Sequence, residues 1–329
     1  MRCRVLWAAV GGMALAGGVA VAGAPPPEWA KKDIKAGIIG TDTSHVGAFT
    51  GLLHRHPEWR VRVVAAFPGG SPDNPSSWGR VKKYAEDLQK QHNVEIVDTV
   101  EALCEKVDAV LIESVDGRPH LEQARPVFKA KKPLFLDKPF TASLEDAREI
   151  LKLSKESGVP FFSCSCVRFQ PEVAKLRTNP GVGKLTKAQG SSPMSMEPHH
   201  PDLFWYGIHG VEALYTVMGR GCVSVSRKLE GDLDITTGKW KDGRVGVFRG
   251  VKKGDYHPLV KVWGSEGEAD TGKLGYSYNA LVEAIAKFFH TGEAPIDPLE
   301  TLEIVEFMIA AQKSKERNGA EVTLEELRK

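Results

Sequence analysis

Two residues in this sequence have the type and setting to donate or shuttle a proton. Lys138 stands in Leu136-Asp137-Lys138-Pro139, directly behind the short apolar run from Leu134 to Leu136. A lysine desolvated at such a strand end is a point donor that can share a proton with an alkoxide. His209 lies in Tyr206-Gly207-Ile208-His209-Gly210-Val211-Glu212, at the start of a helical pattern from Gly207 to Met218. Its imidazole titrates near neutral pH and suits a proton shuttle. His199, His200, Asp202 and His209 are all ligand types for zinc or iron. Their spacing matches no metal motif, and neighbours in an extended segment point opposite ways, so no metal is expected.

The elements that would position these groups alternate. Ile34 to Gly40 is an apolar run followed by a pattern placing Val46, Phe49, Leu52 and Leu53 on one helical face. Val61 to Phe67 reads as a second strand, and a Pro/Gly/Ser/Asn-rich loop from Pro68 to Gly79 leads to a helix over Arg80 to Gln91. Val94 to Val97, Val107 to Ile112, Leu134 to Leu136 and Phe161 to Phe162 read as further strands. Ser143, with Asp146 three residues on, caps a helix striped by Leu144, Ala147, Ile150 and Leu151. Such alternation predicts an α/β fold with a Rossmann-like, doubly wound parallel sheet that binds ligands beyond the carboxyl ends of its strands. From about Cys164 the pattern changes to one helix, strands at Cys222 to Arg227, Val245 to Arg249 and Leu259 to Trp263, and helices at Tyr278 to His290 and Leu299 to Lys315. This predicts a C-terminal α+β domain on an open sheet that would pack against a partner, hence a homo-oligomer.

The chain has 329 residues, 42% of them hydrophobic, enough for two cores. A formal charge of +2, with no basic stretch interleaved with aromatics, argues against nucleic acid as a partner. Arg2 and Arg4 precede an uncharged run from Val5 to Ala22 that ends Ala20-Val21-Ala22. This predicts a Sec-type signal peptide over residues 1–22, export to the periplasm or beyond, and no membrane span after cleavage, an uncleaved membrane anchor being the alternative for a run of this length. Residues 23–33, with Pro25, Pro26 and Pro27, form a linker. Cys104, Cys164, Cys166 and Cys222 then remain, and buried free thiols are expected of them.

Four stretches, in order, resemble the glucose-fructose oxidoreductase and inositol dehydrogenase family (Gfo/Idh/MocA). They are Ile38-Ile39-Gly40-Thr41-Asp42-Thr43-Ser44-His45 at the site of G-x-G-x-x-G, and Ser114-Val115-Asp116-Gly117-Arg118-Pro119-His120 after the fourth strand. Asp137-Lys138-Pro139 follows in place of E-K-P, then Arg168-Phe169-Gln170-Pro171 at the entry to the second domain. The resemblance implies a dinucleotide-binding domain over residues 34–163 and a substrate and oligomerisation domain over residues 164–329. It implies NAD or NADP as cofactor and a sugar or cyclitol as substrate. Lys138, beside the nicotinamide, would hydrogen-bond the reacting hydroxyl, and His209 would be the base. Gly40, Thr41, Thr43, Ser44, His45, Ser114, His120 and Lys138 would surround the cofactor, and Arg168, Asp202 and Tyr206 the substrate.

The chain departs from the family at three places. Asp42 and His45 replace the second and third glycines of the fingerprint, and a carboxylate at the second should repel the pyrophosphate. The second strand ends Ala66-Phe67-Pro68, with neither the usual ribose-binding acid nor an arginine for the 2′-phosphate of NADP. Trp205 stands where the family carries the Asp that orients its histidine. The sequence therefore predicts an exported NAD(P)-dependent oxidoreductase. A redox-neutral lyase or hydrolase, or a non-catalytic sugar-binding protein on the same scaffold, stays open beside it.

Overall fold

The computed structural model describes residues 24–178, 180–253 and 258–329. The predicted signal peptide lies outside these residues.

Six short strands form the first sheet: β1 (Ile34–Ile39), β2 (Val61–Phe67), β3 (Glu95–Ile96), β4 (Ala109–Ile112), β5 (Leu134–Asp137) and β6 (Phe161–Cys164). Their order is β3-β2-β1-β4-β5-β6, and every pairing is parallel. β4 and β5 are buried along their whole length because helices cover both faces, which is why they read as unbroken apolar runs. The connecting helices are α1 (His45–Arg55), α2 (Pro75–His92), α3 (Val100–Lys106), α4 (His120–Lys129) and α5 (Leu144–Ser157). Asn74, Thr99 and Ser143 cap α2, α3 and α5, each accepting a first-turn amide on its side chain. α2 begins five residues earlier than the sequence pattern suggests, since Asn74-Pro75 supplies both cap and first turn.

After α6 (Pro171–Thr178) the chain builds a second, seven-stranded sheet from β7 (Leu185–Pro193), β8 (Cys222–Glu230), β9 (Leu233–Trp240), β10 (Val245–Val251), β11 (Leu259–Gly264), β12 (Gly267–Asp270) and β13 (Val322–Thr323). Its order is β12-β11-β7-β10-β9-β8-β13, largely antiparallel but with β7 parallel to β10. α7 (Gly207–Met218) lies against β7 and β10. The approach is close enough that a Cβ on Gly190 would stand 2.2 Å from the Gly210 carbonyl oxygen. The last helices, α8 (Asn279–Thr291), α9 (Pro298–Glu316) and α10 (Leu324–Arg328), follow. α8 packs on α1, and α9 on α5 and β6 as well as on β8, so the two sheets share helices. No helix among the described residues is long and apolar enough to cross a membrane.

Candidate active site

The crevice at the carboxyl ends of β1, β4 and β5 opens into a cleft of about 460 Å³ between the two sheets. The topological switch, where β1 sits between β2 and β4, puts it there. Lys138 enters the cleft from the end of β5, 8% exposed, and its bond to Pro139 is cis. Behind it Asp137 is almost wholly buried, with Oδ1 accepting the Lys138 amide at 2.8 Å and Oδ2 lying 2.5 Å from His45 Nδ1. Burial alone would raise the Asp137 pKa, but His45 and Lys138 outweigh it and hold the carboxyl below the usual range.

α7 brings His209 into the wall of the same cleft, 6% exposed. The ring is edge-on to Tyr206 and Tyr276, and Nδ1 lies 2.6 Å from the Ser165 hydroxyl. Burial, with Lys138 and His45 nearby, pushes its pKa well below the ordinary histidine value against the pull of Asp137. Cys166, also in the wall, has its thiol pushed up to about 12 by burial, so it is no nucleophile at neutral pH.

The turn between β1 and α1 is folded inward. Gly40 has φ +90, and a Cβ there would meet the Ser114 hydroxyl at 2.3 Å, so the glycine permits close contact with the loop after β4. Thr41 is buried, its hydroxyl donating to the Val81 carbonyl at 2.9 Å. The Asp42 carboxylate, expected from the sequence to face a phosphate, is turned away from the cleft and fully buried. It accepts the Ser77 hydroxyl at 2.5 Å and the Val115 amide at 2.9 Å. Thr43, Ser44 and His45 remain in the cleft wall. α1 has no acidic residue in its first turn and no cap from the Ser44 side chain, and its first amide, that of His45, donates to the Thr43 hydroxyl at 3.4 Å. Ser76 and Arg80 of α2 stand in the same wall. The start of a helix without acidic residues, with the hydroxyls of Thr43, Ser44 and Ser76 and the Arg80 guanidinium beside it, suits an anion. The residues present therefore fit a dinucleotide, with Arg80 supplying charge where Asp42 has been withdrawn.

Other residues singled out in the sequence serve elsewhere. The Ser114 hydroxyl is bonded to Gln123, and both ring nitrogens of His120 to the Ser114 and Phe140 carbonyls, which fixes the loop after β4. Arg168 is buried between Glu212 of α7, at 2.7 Å, and Glu300 of α9, outside the cleft wall. Asp202 pairs with Arg227 at 2.9 Å and Lys315 at 2.5 Å, also outside it, and so does not orient His209. Tyr206 does line the cleft. His200 binds Glu197 through Nδ1 at 2.6 Å and lies 3.1 Å from Asp116 through Nε2, clasping the second domain to the loop after β4. Arg118 joins Asp116 to Asp73 in the same network. No group of three or more His, Cys, Asp or Glu side chains suited to a metal occurs among the described residues. Cys104, Cys164, Cys166 and Cys222 are free and buried.

The sequence reading passed over Arg80, Tyr276, Tyr278 and the Asp137 contact of His45. Tyr276 and Tyr278 come from the irregular segment before α8, where no periodicity marks them.

Residues 34–164 match the protein family described as "Oxidoreductase family, NAD-binding Rossmann fold". The chain is 24% identical over 270 residues to the uncharacterized oxidoreductase YrbE of Bacillus subtilis, covering 72% of this chain and 73% of that protein. It is 26% identical over 185 residues to myo-inositol 2-dehydrogenase of Thermotoga maritima, 49% of this chain and 55% of that one. Among solved structures, a probable dehydrogenase from Thermotoga maritima superposes with a TM-score of 0.72 at 20% identity, covering 89% of this chain and 99% of the other. Scyllo-inositol dehydrogenase of Lactobacillus casei, with bound NAD(H) and scyllo-inositol, gives 0.71 at 15% identity over 89% and 99%.

Proposed function

The chain belongs to the Gfo/Idh/MocA oxidoreductase family, and on that premise we propose that it oxidises a hydroxyl of a cyclitol or sugar with a nicotinamide dinucleotide as hydride acceptor. The observation that carries this reading is the meeting of Lys138, from the end of β5, with His209, from α7, in the wall of one cleft at the switch point of the sheet.

When bound, the cofactor takes up the carbinol hydride. Thr43, Ser44, Ser76 and Arg80 would hold its phosphates, and Val115 and Lys138 would flank the nicotinamide. The Lys138 ammonium donates to the reacting oxygen and stabilises the charge that grows there as the proton leaves. Tyr206, Tyr276 and Ser195 offer hydroxyls to the remaining hydroxyls of a polyol. The cyclitol class is supported by the inositol dehydrogenases among the relatives. The test is fluorescence titration of the purified protein with NAD(H) and NADP(H), followed by a reduction assay over a panel of inositols, aldoses and aldonates. Absence of binding to either dinucleotide overturns the reading.

We also propose that the protein is exported and acts as a homo-oligomer. The first rests on the Arg2/Arg4 flank and the Ala20-Val21-Ala22 ending, and N-terminal sequencing from the native host should give Gly23. The second is supported by the face of the second sheet that carries half-buried Ile235, Val247 and Trp263. Light scattering after size exclusion should return a multiple of the chain mass.

A further inference from the structure

The nicotinamide-dependent reading needs one proton acceptor for the carbinol, and the cleft contains two imidazoles. They are held differently. Among the described residues His209 has only the neutral Ser165 hydroxyl on Nδ1, and Trp205 stands where a carboxylate could have oriented it. His45 has a carboxylate: Nδ1 is 2.5 Å from Asp137 Oδ2, and Asp137 is itself fixed by the Lys138 amide. The ring is also clamped, stacked on Phe49 with centroids 5.1 Å apart and edge-on to Tyr278 at 4.8 Å. With Nδ1–H donated to Asp137, Nε2 carries a lone pair, and it has no partner among the described residues while the ring lines the cleft.

We propose that His45, oriented by Asp137, is the catalytic base of the reaction. The geometry rebuilds a histidine–carboxylate pair from α1 and β5 in the cleft that His209 of α7 also lines. The carbinol O–H bond breaks and its proton passes to His45 Nε2. The C–H electron pair leaves as hydride for the oxidised nicotinamide dinucleotide, and a C=O bond forms on the oxygen held by Lys138. Asp137 is a positioning residue that sets the tautomer and stabilises the imidazolium. The depressed basicity of buried His209 agrees with this division, leaving that ring neutral to share hydrogen bonds with the substrate. The charged and titratable groups facing His45 are Asp137 and Lys138 from the end of β5, His209 from α7 and Tyr278 from the segment before α8.

The inference rests on dinucleotide-dependent oxidation, so NAD(H) and NADP(H) binding to the parent and each variant is measured first. In the ligand-free parent, nitrogen-15 histidine NMR should show His45 protonated on Nδ1 and bare on Nε2, and Asp137→Asn should disturb that signal. In steady state, His45→Gln should lower kcat by roughly 10²–10⁴-fold and abolish the acid limb of the kcat/KM profile. His209→Gln should keep that limb. His45→Ala should regain activity with added imidazole, which a fold-damaging substitution would not. Intact dinucleotide binding with the acid limb unchanged in His45→Gln, or lost only in His209→Gln, overturns the assignment alone. Failure of the parent to bind either dinucleotide overturns the oxidoreductase reading with it.

Discussion

The Asp42 carboxylate accepts the backbone amide of Val115 at 2.9 Å, tying the turn after β1 to the loop after β4. This side chain acts as internal structure. Asp42→Ala leaves the Val115 N–H unpaired in a dry interior, which costs about 1–3 kcal/mol. Chemical denaturation should show that loss for Asp42→Ala and a much smaller one for Asp42→Asn, whose amide oxygen still accepts from Val115.

Lys138 has a long apolar stem packed in the cleft wall, and methionine reproduces most of its volume. Lys138→Met should melt close to the parent while kcat falls by about 10²-fold or more, the scale for losing a positioned electrostatic group. Melting curves beside steady-state kinetics decide it. Near-parental turnover in a folded variant would remove the lysine from the chemistry.

Glu113, at the end of β4, is fully buried and neither carboxylate oxygen has a hydrogen-bond partner among the described residues. Burial, with Asp137 and Asp42 adding repulsion, raises its pKa well above the ordinary 4.5. The native state therefore holds a proton that the unfolded chain releases above pH 4.5. This contribution to stability is complete below that pH and declines as pH rises through the raised folded value, with a limiting slope of about 1.4 kcal/mol per pH unit. Glu113→Gln cannot ionise, so its stability relative to the parent should grow with pH in denaturation series above pH 5. A constant difference would mean that Glu113 is solvated.

Arg168 holds two glutamates, Glu212 and Glu300, in a buried cluster. Arg168→Ala would leave both without their cation and should cost about 3–5 kcal/mol. Because the guanidinium lies outside the cleft, KM for the polyol should stay near the parental value at temperatures where the variant is folded.

The parallel sheet was legible because its strands are short, apolar and separated by helices striped at the helical period, as in Val46, Phe49, Leu52 and Leu53. β7 and β9 were not. β7 reads Leu-Thr-Lys-Ala-Gln-Gly-Ser-Ser-Pro, where small residues make room for α7 and leave no alternation of apolar and polar types. That Lys138 and His209 line the cleft was legible because each sits at a recognisable junction, a strand end and a helix start. The direction of the Asp42 side chain was not, since its partners Ser77 and Val115 come from 35 and 73 residues away. For the same reason Arg168 and Asp202 could be read as ligands for substrate, although tertiary pairing with Glu212, Glu300, Arg227 and Lys315 claims them for the frame.

His200 joins Glu197 of the second domain to Asp116 in the loop after β4, and all three side chains are buried. To swing the two domains apart, the protein would have to strip Asp116 of its histidine and leave the carboxylate to Arg118 and Ser71. Substrate traffic is therefore expected to run through a standing doorway, with no hinge to unlock. Stopped-flow binding should then be a single second-order phase, linear in ligand concentration, with no plateau from a rate-limiting opening step.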